Sequence, residues 1–519
     1  MCIRFFDYKK NNNSPNNKHF SDEKEKIGIK TKKAVLKMIS ASGKFFRDKQ
    51  QFFRFNTKSG SMTDVNFYIC CVVKCCYKIV IMRKVFFTLL MAVTATAASA
   101  QDWPQFLGPT ADSKSPQKNL LREWPAAGPE VKWTTAVGIG YGGPVVRDGK
   151  VYLLDRDAEK ETETMRCIDL ATGKDLWGYT YPSTGAVMFP GSRSVPTLDG
   201  NYVYSCGHNG ELYCIDITTG KPVWHKNIFT EYGGTKLPTW AISQIPLVYG
   251  DLVYVVAQTP SVGMVALNKK TGAEVWKSAP YAEITYASPS VVKVSGEDHI
   301  SIVVSSTNAV QNRGAAKQMG RVIGYDPKTG KELWSYDNWD CHISCAPVTA
   351  AGDNKFLVVG GYERGASMFQ VVKGADGTFS TKELFVTVEF GDQTKPALLH
   401  DGHFYAMYGT NSRRDGLCCM DMEGNVKWKT KRAPNFDKGS MILADGLILA
   451  TDGADTLYLI EPSAEGYKPI STAPLLAGGA GTGEMGGRMN NGNWAPMALA
   501  DGLLLIRNHN KMMCVKVTK

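Results

Sequence analysis

Apolar residues along this chain come in short runs, and turn pairs separate them at regular intervals. Val145-Val146-Arg147-Asp148-Gly149-Lys150-Val151-Tyr152 reads as strand, Asp-Gly turn, strand. The same reading fits the runs around Asp199-Gly200, Asp401-Gly402, Asp445-Gly446 and Asp501-Gly502. Asp-Gly between apolar runs is a strong hairpin signal, because both turn positions tolerate positive φ. A second pattern follows one hairpin later: small residue, apolar residue, Asp or Asn, two variable residues, Thr-Gly, three more, then Trp. It occurs as Cys167-Ile168-Asp169 with Thr172-Gly173 and Trp177, and as Cys214-Ile215-Asp216 with Thr219-Gly220 and Trp224. It returns as Ala266-Leu267-Asn268 with Thr271-Gly272 and Trp276, and as Gly324-Tyr325-Asp326 with Thr329-Gly330 and Trp334. Glycine in the Thr-Gly pair supplies a left-handed residue at the turn. Each unit therefore predicts four short antiparallel strands.

The units begin near Pro144, Pro196, Pro246, Pro289, Pro347, Pro396, Ser440 and Pro496, which makes eight. Proline at a strand start suits an edge with no ladder partner, such as the innermost strand of a propeller blade. Units five and seven have lost the tryptophan, with Phe385 and Ile470 near its slot. Unit six keeps Trp428 but carries Glu423-Gly424 in place of Thr-Gly. The last unit stops one strand short, at Cys514-Val515-Lys516-Val517, and Val131 to Val137 offers an outer strand with Trp133. Pairing the two closes the ring and removes an open edge. The expected fold is all-β: an eight-bladed β-propeller of four-stranded antiparallel blades over residues 131–519, closed by an N-terminal outer strand. A unit length of about 49 residues lies near the ~40–45 of propeller repeats.

Charge changes the picture only at the N-terminus. The formal net charge is +11. Residues 1–81 carry 17 Lys/Arg against 6 Asp/Glu, whereas 101–519 carry 41 against 43. The propeller therefore gives no basis for a nucleic-acid partner. Met82 to Ala100 reads as a secretory signal peptide, with Arg83-Lys84 before an apolar run and Ala98-Ser99-Ala100 as the cleavage site. The run is too short to span a bilayer comfortably, and no Cys follows the site to take a lipid. Residues 1–81 show no repeat and are expected to be a disordered, non-native extension from an over-extended gene start. Residues 101–130 are expected to be an extended segment. The mature chain is expected to be exported, periplasmic or extracellular, monomeric, and without a transmembrane segment.

The candidate chemistry is sparse. Cys167, Cys214, Cys419 and Cys514 share one repeat slot and read as small core residues. Adjacent Cys418 and Cys419 point to opposite faces of a strand, which opposes a disulfide between them. Cys341 and Cys345 flank His342, a spacing too weak to define a metal site, and no metal ligand set is predicted. Gly481-Thr482-Gly483-Glu484-Met485-Gly486 matches a dinucleotide fingerprint literally, but no helix follows, so it reads as an inter-blade loop. Trp133, Trp177, Trp224, Trp276, Trp334 and Trp428 read as packing between blades. Trp240, Trp339 and Trp494 fall instead in connections leading to innermost strands, where binding residues usually reside on such a scaffold. Polar residues collect there, and the candidate ligand-binding set is Arg193, Trp240, Gln244, Asp340, His342, Lys395, Lys438, Asn493 and Trp494.

The Asp-x-x-Thr-Gly-x-x-x-Trp units resemble the repeats of the pyrroloquinoline-quinone-like β-propeller superfamily. Trp103-Pro104-Gln105-Phe106-Leu107-Gly108-Pro109 and Trp494-Ala495-Pro496 with Ala500-Asp501-Gly502 resemble exported bacterial members without assigned chemistry. The resemblance implies two activities. One branch holds quinoprotein alcohol and sugar dehydrogenases, with quinone and calcium in the funnel, an Asp base and often a vicinal disulfide. The other holds non-enzymatic scaffolds, such as the lipoprotein of the outer-membrane protein assembly machine. Cys418-Cys419 lies on a repeat strand, so the disulfide does not carry over, and the dehydrogenases' long insertions are missing. The leading expectation is a binding scaffold in the cell envelope, with an envelope protein or small ligand as partner. The alternative is a dehydrogenase using pyrroloquinoline quinone with calcium, Asp340 serving as base. Hydrolysis or carbohydrate binding in the funnel is a third expectation.

Overall fold

The structure, a computed structural model, describes residues 101–185, 188–307, 317–409, 414–478, 484–485, 488–489 and 492–519. The expectations for residues 1–81 and 82–100, and most of the Gly481 to Gly486 loop, lie outside the described residues.

The described residues are all-β and form eight blades, seven four-stranded sheets and one with a fifth strand. Blade one runs from Val145–Arg147 to Asp175–Pro182, and blade six from Leu398–His400 to Val426–Lys429. In blade eight, Val131–Ala136 pairs antiparallel with Lys511–Lys516, Trp133 opposite Cys514. The ring therefore closes with the N-terminal outer strand.

The repeat residues join one blade to the next. In blade one, Asp169 Oδ1 accepts the Thr172 amide at 2.8 Å and its hydroxyl at 2.7 Å. Asp216, Asn268 and Asp326 close the same turn in blades two to four. The tryptophan of the preceding blade lies over the glycine of that turn. A Cβ on Gly173, Gly220, Gly272 or Gly330 would meet the ring of Trp133, Trp177, Trp224 or Trp276 at 2.5–2.8 Å. Each indole Nε1 also donates into the next blade: Trp133 to Leu170 O at 2.7 Å, Trp177 to Ile217 O at 3.1 Å, Trp276 to Pro327 O at 2.9 Å. Trp334 faces blade five, which lacks the Thr-Gly turn. It donates instead to His299 Nδ1 and stacks on Phe356.

The repeat-slot cysteines are buried, and all eight in this region are thiols. Cys418 packs with Phe404 and Met420, whereas Cys419 packs with Tyr405 and Ile448. Strand alternation thus sends the adjacent pair to different inter-blade cores.

The segment 101–124 has a role that its sequence does not announce. Trp103, Leu107, Leu120 and Trp124 are buried. Trp103 bridges Val146 on the innermost strand of blade one, and Leu198 of blade two donates to Pro104 O. Lys114–Ser115 then adds in parallel to Met441–Ala444, the innermost strand of blade seven. Innermost strands present their unpaired edges to the central channel, and this segment occupies some of those edges.

Candidate functional site

A cavity of about 440 Å³ opens where the connections into the innermost strands converge. All eight inter-blade connections contribute to its wall, and Phe106 of the N-terminal segment joins them. The lining follows the repeat register. Tyr141, Arg193, Ser243, Tyr286 and Gln393 stand three residues before their unit's proline, and Val195, Ile245, Ser288 and Lys395 stand one before it. A period of two places both positions on one side of an extended chain. In blades seven and eight, Lys438 and Trp494 come two before the unit start, a register shifted by one.

Five of the predicted residues meet at this cavity: Arg193, Trp240, Lys395, Lys438 and Trp494. Trp494 lies between Tyr141 and Phe189, with centroids 5.3 and 5.7 Å away. The Lys438 ammonium sits 4.8 Å from the Trp494 ring and 2.6 Å from Asp437 Oδ2. Trp240 meets Tyr286 edge-on at 5.4 Å. Arg193 stacks over Tyr141 at 5.6 Å, and its Nη2 donates to Met188 O and Phe189 O. Burial lowers the Arg193 pKa. No carboxylate within ion-pair range of Arg193 is found among the described residues.

Lys395 is buried as deeply as Lys438. Its ammonium donates to Thr394 Oγ1 at 3.1 Å, Lys438 O at 3.1 Å and Trp494 O at 2.8 Å. It thereby ties the connections of blades six, seven and eight together. Burial brings its pKa down to about 8 against the pull of Asp392. Buried Asp392 is pushed up to about 6 while accepting the Thr394, Lys395 and Met407 amides.

A Lys pKa depressed on folding means that the unfolded chain binds more protons between pH 8 and 10.5, so stability rises with pH there. The raised Asp392 works oppositely, and stability falls as pH rises from about 4 to 6. We expect the stability of wild type minus that of Lys395→Met to rise by on the order of 3 kcal/mol between pH 8 and 10.5. Urea unfolding across that range checks this, and a flat difference would contradict it.

Four predicted residues do not line the cavity. Gln244 is fully buried, donates to Ala287 O and accepts the Val256 amide, which makes it a brace between blades. Asn493 is buried and donates to Ala454 O. His342 packs against Tyr362, at 5.3 Å between ring centroids. Asp340 binds Lys317 at 2.6 Å, Arg364 at 3.1 Å and Ser306 at 3.2 Å. Burial alone would raise its pKa, but these donors outweigh it and hold the carboxylate below its ordinary range. Trp339 is core, donating to Ser344 Oγ.

The sequence reading missed Tyr141, Phe189, Tyr286, Tyr362, Gln393 and Cys345. For Tyr141, Tyr286 and Gln393 the position three before the unit's proline was the available signal, whereas Phe189, Tyr362 and Cys345 follow no such register. Burial raises the Cys345 thiol to about 12, which disfavours its thiolate form.

These features define an eight-bladed propeller with a ligand-sized cavity where its inter-blade connections converge. A family model described as outer membrane protein assembly factor BamB matches residues 161–375. The quinohemoprotein alcohol dehydrogenase of Comamonas testosteroni is 22% identical over 355 residues, 57% of this chain and 48% of that protein. BamB of Shewanella oneidensis is 24% identical over 259 residues, 48% of this chain and 55% of that protein. The chain thus spans about half the length of these curated relatives. Among solved structures, a europium-containing methanol dehydrogenase superposes with a TM-score of 0.56 at 14% identity, covering 78% of this chain and 89% of that one. The Comamonas dehydrogenase structure gives 0.51 at 16% identity, covering 82% of each chain. The superpositions show the fold. With the repeats, the partial family-model match and the curated relatives support a PQQ-like β-propeller.

Proposed function

We propose that this protein is an exported, non-catalytic binding propeller of the cell envelope, and that its mouth cavity takes a small organic anion with a flat body. The wall chemistry carries the reading. Arg193, Lys395 and Lys438 converge with aromatic rings, and no Asp or Glu lines the cavity among the described residues. A carboxylate entering there would gain charge-assisted bonds in a partly dehydrated setting that strengthens them. The rings would bury its apolar faces. A partner protein offering a carboxylate would be recognised by the same groups, as the likeness to an outer membrane assembly factor suggests. Export rests on the reading of Met82 to Ala100.

Pyrroloquinoline quinone with calcium fits this wall only in part. The cations and rings suit the quinone's carboxylates and ring system. Calcium needs a set of oxygen ligands, and no cluster of three His, Cys, Asp or Glu able to hold a metal is found among the described residues. Asp340 is engaged in ion pairs away from the cavity wall. No catalytic step is therefore derived for the dehydrogenase reading.

Titrating purified protein with flat carboxylates, the quinone among them, tests both readings. We expect binding that does not require calcium, no dye-linked alcohol oxidation, and a loss of about 10- to 100-fold in affinity for Arg193→Gln. Calcium-dependent turnover would overturn the binding-only reading, and failure of every anion to bind would overturn the anion site.

A further inference from the structure

We propose that the α-ammonium group created by cleavage after Ala100 docks on Asp501, and that this contact keeps Gln101 as an open glutamine at the mature N-terminus. The inference rests on the signal-peptide reading of Met82 to Ala100. It joins two observations made independently. The cleavage motif places the new terminus at Gln101, and the Gln101 backbone nitrogen stands 2.7 Å from Asp501 Oδ1.

The surroundings call for a cation at that nitrogen. Asp501 lies in the Asp-Gly turn of blade eight, and Asp148 in the equivalent turn of blade one. Asp102 accepts the Asp148 amide at 3.0 Å and feels the charge of Asp501. The facing charged groups are thus three carboxylates and Arg147, which stands 3.9 Å from Asp102. The Asp102 pKa is raised, by burial first and also by the charges of Asp148 and Asp501, against the lowering pull of the Asp148 amide and Arg147. A backbone amide at Gln101 supplies one neutral donor to this group. Hydrolysis of the Ala100–Gln101 bond replaces it with a charged one: the water oxygen completes the Ala100 carboxylate, and both water protons end on the Gln101 nitrogen, which becomes an ammonium.

The chemical consequence concerns glutamine. A free N-terminal glutamine cyclises when its α-amine attacks its own side-chain carbonyl, releasing ammonia and leaving a neutral lactam. Only the deprotonated amine has the electron pair for that attack. Asp501 favours the ammonium form and removes the nucleophile. The next residues hold the terminus in place, with Trp103 paired to Val146 and Pro104 bonded to Leu198. The pair is exposed, so its contribution to stability is small, and the measurable effect is on the state of the amine.

The test compares wild type with Asp501→Asn, both expressed from the full reading frame and purified from the envelope fraction. Asparagine tolerates the positive φ of 49° at this position, so the turn survives while the charge goes. Intact mass and N-terminal sequencing read the start and the cyclised fraction. NMR titration of the isotopically dimethylated α-amine reads its pKa. We expect a start at Gln101, little lactam in wild type, severalfold faster cyclisation in Asp501→Asn, and an amine pKa raised above about 7.7–8.0 only in wild type. A start elsewhere would overturn the signal-peptide reading and the inference with it. A start at Gln101 with equal cyclisation and equal pKa in the two proteins, or with wild type already cyclised, would overturn the docking alone.

Discussion

A chain begun at Gly138 is expected to yield no folded monomer. Residues 101–137 supply the outer strand of blade eight, so their loss exposes the Lys511–Lys516 edge along its length. They also supply Trp103, Trp124 and Trp133, only 3%, 5% and 9% exposed, in the core shared by blades seven, eight and one. Losing a buried tryptophan costs about 3–5 kcal/mol. Three such losses reach roughly 10 kcal/mol, comparable with the whole stability of about 5–15 kcal/mol of an ordinary domain. A bare edge also templates aggregation. Size-exclusion chromatography and circular dichroism should show aggregate or unfolded chain, and a peptide of residues 101–137 added during refolding should recover monomer. A truncated chain that folds cooperatively at wild-type stability would show that ring closure contributes little.

Trp276→Ala is expected to destabilise the protein by about 3–5 kcal/mol, because it removes a buried ring and the bond to Pro327 O. Gly330→Ala acts on the other side of the same contact. Its residue has a φ of 70°, and the added Cβ would stand 2.5 Å from the Trp276 ring. The left-handed backbone costs about 1–2 kcal/mol for a residue with a Cβ, and the clash adds about 1–3 kcal/mol. In the double variant the ring is gone and only the backbone term remains. The pair should therefore be less destabilising than the sum of its parts, by about 1–3 kcal/mol. Denaturant unfolding of the four proteins checks this. Strict additivity would mean that the Trp-Gly contact is not the joint between blades three and four.

The second prediction, and the closing strand in the first, come from residues whose role was legible in the chain. The Asp-Thr-Gly-Trp spacing reports a turn and a docking ring, and each needs only local chemistry to form. The fold was readable because every blade repeats it, so that a missing tryptophan in blade five or seven does not hide the pattern. The cavity was less legible. Arg193, Trp240, Lys395, Lys438 and Trp494 stood out as polar or aromatic residues in connections, and they meet. Gln244 and Asn493 stood out for the same reason, yet they turn inward to satisfy backbone groups of neighbouring blades. Composition cannot distinguish a connection residue facing the cavity from one bracing its wall, because both are polar.

By itself, then, the sequence determined the strand order, the number of blades, the closing strand and the joints between blades, since all of these follow from periodic spacing and turn chemistry within a few tens of residues. The tertiary structure alone decided which side chains share the cavity and which carry its charge. Those residues are as far apart as Tyr141 and Trp494 in the chain and meet only when the ring closes. It also decided that residues 101–124 run along the channel edges, which the chain offers only after eight blades have left their innermost strands unpaired.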